Sequence, residues 1–280
     1  MNIRTERSHI DESLVHEVLA LLGDHSSAPT LRRLNQLMSA YVRAVPWESA
    51  FRIARRAVTE QTTACVRWPA EFWRDAIERG GGGTCFESNY AFWSLLRALG
   101  YDGYLTINDM GQQRACHTAI IVLLDGSTYL VDVGIPMHCA VPLTPQATTR
   151  RRSGFHTYIA RPAGEQRYEI ERTRHPARNI YTLLDQPVPV VAYETAVEQD
   201  YGPNGLFLDR VIMTKIIDNV IWRFNSAEQP YMLESFTMAG VKQATPLPDE
   251  PAAMLAAHFG MDETAIATAL DVVQRPRLRT

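Results

Sequence analysis

The stretch from His117 to Gly134, HTAIIVLLDGSTYLVDVG, constrains the fold most, because it carries its own register. Two apolar, β-branched runs flank Asp125-Gly126, a dipeptide suited to the left-handed backbone of a two-residue hairpin turn. With those two residues at the centre of the turn, Leu124 faces Ser127 and Asp132 faces Ala119. His117 shares the face of Ala119, so His117 and Asp132 become diagonal neighbours, about 7 to 8 Å apart at the backbone. A slip of one residue would send them to opposite faces.

Before the hairpin the period is helical. Ile10, Leu14, Val18, Leu21 and Leu22 form one apolar stripe behind a capping Asp11, and Leu31, Leu34, Leu37, Met38 and Tyr41 form another after Pro29 and Thr30. A third helix is expected after Pro69, and a fourth follows the glycine run, with Phe92, Leu95, Leu96 and Leu99 inward and Gly100 as its stop. After residue 101 the pattern changes to strands: the hairpin, then segments 155–160, 168–171 and 188–192, with residues 150–153 (RRRS) read as a solvated loop. Beyond 196, strands are expected near 208–213, 220–224 and 231–236, followed by helices on Met254 to Phe259 and Ile266 to Val273. The reading is an α+β chain in three units, 1–100, 101–196 and 197–280, a division that 280 residues accommodate.

Charge and composition narrow the function. A formal net charge of −3 offers no positive field for nucleic acid or anionic lipid. No window approaches the roughly 20 apolar residues that span a bilayer, and the first residues mix acids with bases, so no membrane role and a cytoplasmic location are expected. Four cysteines, Cys65, Cys85, Cys116 and Cys139, are too few for a disulfide framework. Cys116-His117 and His138-Cys139 could suggest a metal site, but strand neighbours point to opposite faces and one ion could not collect all four; no metal is expected. The glycines at 80–83 lack the Lys-Ser or Lys-Thr of a phosphate-binding loop.

Cys85 is the cysteine in a reactive position. It follows Gly80 to Gly83 and Thr84 and opens the fourth helix, where unpaired N–H groups and the positive end of the helix dipole favour a thiolate. An imidazole oriented by a carboxylate would hold that anion, the arrangement of a Cys-His-Asp nucleophile, with His117 and Asp132 as the partners.

These residues resemble the arylamine N-acetyltransferase family. RGGGGTCFESN at 79–89 approximates the family's Arg-Gly-Gly-x-Cys followed by an aromatic residue, Glu, any residue and Asn. The spacing of His117 and Asp132 is similar to the family's, and VPWES at 45–49, YGPNGLF at 201–207 and HFGM at 258–261 resemble weaker landmarks. The resemblance implies an N-terminal helical bundle, a central antiparallel β-barrel-like domain and a C-terminal α/β lid around a cysteine-protease-like core. It also implies Cys85, His117 and Asp132 as catalytic residues, and Trp47, Phe86, Gly134, Ile135 and Phe207 beside the substrate. The implied reaction is ping-pong transfer of an acetyl or other acyl group from acetyl-CoA, or another acyl-CoA, through Cys85 to a small-molecule amine acceptor. CoA is then a co-substrate, with no bound cofactor.

Three segments depart from the family pattern. Gly81 stands where an arginine is usual, leaving the partner of Glu48 open; Gly134-Ile135-Pro136 replaces Gly-Phe-Gly; and Trp47 replaces phenylalanine. The departures keep open an amide synthase using a larger acyl thioester on CoA or an acyl carrier protein, and the same three residues would also serve a thiol hydrolase with water as acceptor.

Overall fold

The computed structural model describes residues 7–26, 28–173, 178–203 and 205–275. Helix α1 (Glu12–Leu22) is capped by Asp11 Oδ1, which accepts from Leu14 N at 2.8 Å, and α2 (Leu31–Ala44) begins at Thr30 as expected. A short strand β1 (Trp47–Glu48) leads into α3 (Ala50–Val58), which the apolar pattern did not reveal. Four of the nine residues of α3 are buried: Ala50, Phe51, Arg52 and Ile53. Helix α4 (Pro69–Arg79) starts on its proline, and α5 (Cys85–Ala98) starts on the cysteine.

The hairpin has the register derived from its turn. Strands β2 (Asp102–Met110), β3 (Gln113–Leu124) and β4 (Ser127–Val131) pair antiparallel, with Leu124 opposite Ser127 and Ile120 opposite Val131. The sheet continues through β5 (Val141–Leu143), β6 (Thr149–Arg152), β7 (Thr157–Pro162), β8 (Arg167–Arg172) and β9 (Asn179–Leu184), in the order β5-β4-β3-β2-β9-β8-β7-β6. Its edges approach each other where Thr149 Oγ1 donates to Pro142 O at 2.5 Å, so the sheet nearly closes into a barrel.

Two expectations for this region are corrected. Residues 150–152 are not part of a loop: Thr149–Arg152 form the edge strand β6, whose arginines face solvent while their backbone pairs with β7, and only Ser153 lies outside it. Exposed charge describes side chains and says nothing of a strand's ladder. Residues 188–192 are not a strand: Pro189 caps α6 (Val190–Gln199), and its buried Tyr193 and Val197 lie one turn apart. The β-branched Val188, Val190 and Val191 suggested extension, but tertiary packing overrides so short a propensity signal.

The C-terminal sheet runs β1-β10-β11-β12-β13, comprising β10 (Ile212–Ile217), β11 (Val220–Asn225), β12 (Met232–Thr237) and β13 (Lys242–Pro246). Strand β10 lies four residues later than expected, and residues 208–210 form a bend instead. Helices α7 (Ala252–Phe259) and α8 (Glu263–Gln274) join Phe51 and Ile53 of α3 in one apolar cluster with Phe224, Leu255, Phe259 and Ile266. The β1–β10 pairing, Trp47 to Thr214 and Glu48 to Met213, sews the first part of the chain to the last. Among the described residues no helix is long and apolar enough to cross a membrane.

Candidate active site

The glycine run lets the backbone before Cys85 pass closer to its neighbours than a side chain would allow. A Cβ on Gly82 would lie 1.8 Å from Pro46 O, and Gly83 O accepts from Glu48 N at 3.3 Å. The turn is also held by Arg52, whose Nη1 donates to Thr84 Oγ1 and to Asp200 Oδ2, both at 2.6 Å. Cys85 thus sits at the first position of α5, its sulfur 3.8 Å from Cys116 O and its side chain 7% exposed to solvent.

His117, Asp132 and Cys85 are brought together. His117 Nε2 lies 2.7 Å from Asp132 Oδ2. A carboxylate only accepts, so Nε2 carries a proton, and the other ring nitrogen faces the Cys85 thiol, with which the ring also hydrogen bonds. Burial pulls the imidazole's pKa down, but the charge and hydrogen bond of Asp132, with the Cys85 sulfur, outweigh it and raise the pKa to about 10. The ring is therefore poised as an imidazolium beside a sulfur at the positive end of a helix.

Asp132 is held by more donors than the sequence suggested. Its Oδ1 accepts from Asn89 Nδ2 at 3.1 Å, Gly134 N at 2.9 Å and Ile135 N at 3.2 Å, and Tyr181 OH donates to Oδ2 at 2.9 Å. Asn89 stands one helical turn after Cys85, a spacing that could have singled it out. No local signal marks Tyr181, which arrives from β9 and packs its ring 4.5 Å from that of His117. Gly134 explains its own residue type: a Cβ there would lie 2.6 Å from Cys85 Cβ and 2.8 Å from Asn89 Nδ2. Gly134→Ala is expected to push the Asp132 turn away from the sulfur and slow Cys85 modification by a thioester about 100-fold. Stopped-flow acylation of the two proteins measures this.

The open partner of Glu48 is Arg67. Its Nη2 donates to Glu87 Oε2 at 2.6 Å and to Gly82 O at 2.6 Å and approaches Glu48 Oε1 at 4.0 Å. A long-range arginine thus neutralises the acids that a local one would meet at Gly81, where a Cβ would lie 2.8 Å from the Phe51 ring.

Cys85 and His117 open onto a cavity of about 460 Å³. Trp47, Gly134, Ile135 and Phe207 line it, and the rings of Trp47 and Phe207 meet edge to face at 5.0 Å. Phe86 does not face it: its side chain is buried against the Tyr193 ring at 6.0 Å, because the residue after Cys85 points to another side of α5. Beside these, the walls carry Arg172, His138 and His156. Burial, with the charges of Arg43 and Arg172, lowers the His138 pKa to about 4, so this imidazole is neutral near pH 7.

These two histidines of the cavity act on stability in opposite pH ranges. The raised His117 contributes stability that is complete below the ordinary value of 6.5 and is lost as pH climbs through about 10. The depressed His138 contributes stability present above 6.5 and lost as pH falls through about 4. Differential scanning calorimetry is expected to show Tm falling from pH 7 to 10, with a shallower fall in His117→Ala.

Solved structures share this architecture. The arylamine N-acetyltransferase from Mycobacterium abscessus superposes with a TM-score of 0.76 at 20% identity, covering 94% of this chain and 95% of that one. The arylamine N-acetyltransferase of Mycobacterium marinum in complex with CoA gives 0.76 at 20% identity over 92% and 99%. A sequence relative, proansamycin X synthase of Amycolatopsis mediterranei (strain S699), is 28% identical over 166 residues, 56% of this chain and 62% of that protein's length. The fold is thus that of an N-acetyltransferase-type acyltransferase. A family model described as N-acetyltransferase matches residues 30–263, and the chain belongs to the arylamine N-acetyltransferase family.

Proposed function

We propose that this chain moves an acyl group from a CoA thioester to a small-molecule amine through a thioester on Cys85. The observation that carries the reading is the continuous contact from Asp132 through His117 to Cys85 on the wall of one cavity. In the first half-reaction the Cys85 sulfur attacks the thioester carbonyl. The carbon–sulfur bond to CoA breaks, and the departing thiolate takes the proton that the imidazolium of His117 holds. In the second, the amine attacks the Cys85 thioester, His117 takes the amine proton, and the sulfur leaves as an anion again. Asp132 keeps the imidazole in the one tautomer that serves both steps. Trp47, Gly134, Ile135 and Phe207 would bound the acceptor.

Mass spectrometry after mixing the protein with acetyl-CoA, without amine, tests the reading: one acetyl group should appear on the peptide containing Cys85, and adding an aromatic amine should remove it. Release of free acid at the same rate with and without amine would instead identify a hydrolase.

A second reading is favoured by the relative named as a synthase. In it Cys85 takes a larger acyl chain, from CoA or from an acyl carrier protein, and forms an amide with the amine. Adduct formation with long-chain acyl-CoA or acylated carrier protein, but none with acetyl-CoA, would select this version.

A further inference from the structure

Arg172 breaks the pattern set by three other buried arginines. Arg33 lies 2.7 Å from Asp24, Arg52 2.6 Å from Asp200 and Arg67 2.6 Å from Glu87. Arg172, at the end of β8, is 8% exposed, yet among the described residues no carboxylate lies within 4.0 Å of it. Its Nη1 donates to Ile135 O at 3.1 Å, and its Nε, like those of Arg52 and Arg67, is buried without a partner, so the missing carboxylate is what sets it apart. Burial opposes its charge, which Tyr158 and Asp132 favour only at longer range. Arginine stays protonated even so, and burying an ion without a counter-ion is unfavourable.

Arg172 lines the cavity that holds Cys85. Among the described residues that wall includes Arg172, Arg210, Lys215 and Arg223 and no aspartate or glutamate. Of the imidazoles in its lining, His138 is neutral, and His156 Nδ1 meets Thr173 O at 3.1 Å. The pocket therefore lacks a counter-ion that its substrate can supply.

We propose that Arg172 is the subsite for a carboxylate on the transferred molecule, carried either by the amine acceptor or by the far end of the acyl group. A guanidinium fork matches a planar carboxylate and holds it by charge-assisted hydrogen bonds. The geometry sets where that carboxylate sits. Arg172 grips Ile135, and the residue before it, Gly134, packs on Cys85 itself, so the anion and the reacting carbon fit within one small molecule. The diphosphate of CoA is a whole pantetheine arm away from its thioester carbon and cannot reach Arg172 while that carbon is at the sulfur. The subsite rests on the acyl-transfer reading and adds a substrate class to it.

Equilibrium binding tests the subsite separately from catalysis. Calorimetry on the full chain compares 3-aminobenzoate with its methyl ester for the acceptor arm. On Cys85→Ala, which cannot be acylated, it compares succinyl-CoA with butyryl-CoA for the donor arm. One pair is expected to show roughly a 10- to 100-fold preference for the carboxylate, which disappears in Arg172→Gln and returns in part in Arg172→Lys. No preference in either pair for the unaltered Arg172, or a preference that survives Arg172→Gln, would overturn the assignment. Failure of acetyl-CoA or any other donor to label Cys85 would refute the acyl-transfer reading and leave the binding result standing by itself.

Discussion

Cys85→Ser is expected to abolish formation of the acyl-enzyme, with acyl transfer falling on the order of 10⁶-fold, as when the nucleophile is removed from other triads. The substitution replaces one atom and keeps the Cβ against which Gly134 packs, so the fold has no steric reason to change. What it removes is an atom that His117 can ionise. A thiol with an unperturbed pKa near 8.5 yields its proton to a buried imidazole paired with a carboxylate, whereas a hydroxyl at the same place stays neutral. Intact-protein mass spectra after acetyl-CoA should show one added acetyl group on the unaltered chain and none on the variant. Equal labelling of both proteins would mean that another side chain carries the acyl group, and Cys85 would lose its assigned role.

The hairpin around Asp125-Gly126 was legible because a two-residue turn and a period of two leave one register in which both apolar faces are buried. From that register came the shared face of His117 and Asp132, with no knowledge of what surrounds them. The position of Cys85 was equally local: a glycine run ending at a helix start. The supporting residues were not legible, because they arrive from far along the chain. Tyr181 is 49 residues from Asp132 and Arg67 is 20 from Glu87. Strand β6 and helix α6 were misread for a related reason. Three exposed arginines and a run of valines describe side chains, whereas the backbone partner that decides strand or helix lies elsewhere in the sequence. Arg172 shows the same limit from the other direction. Its type and place in β8 look like those of any strand arginine until burial and the missing carboxylate are both in view.

Asp132→Asn is expected to lower acyl transfer on the order of 10³- to 10⁴-fold while leaving the fold in place, by the logic of tautomer control in other triads. Three donors converge on Oδ1, from Asn89, Gly134 and Ile135, so the amide of the variant must keep its oxygen there. Its NH₂ then takes the place of Oδ2, facing His117 and Tyr181. Tyr181 OH can turn to accept, but His117 Nε2 must become an acceptor and lose its proton. The remaining ring proton moves to the nitrogen that faces Cys85, and the ring can no longer draw the thiol's proton. The charge that held the imidazole at about 10 is gone as well, while the burial that lowers it persists. NMR titration of the His117 ring should therefore find its pKa below the ordinary 6.5 in the variant. The alkaline loss of Tm assigned to this histidine should vanish with it, because a group with a depressed folded pKa gives up stability on the acid side instead. Turnover close to that of the unaltered chain, or a ring that still titrates near 10, would show that Asp132 neither orients nor charges His117.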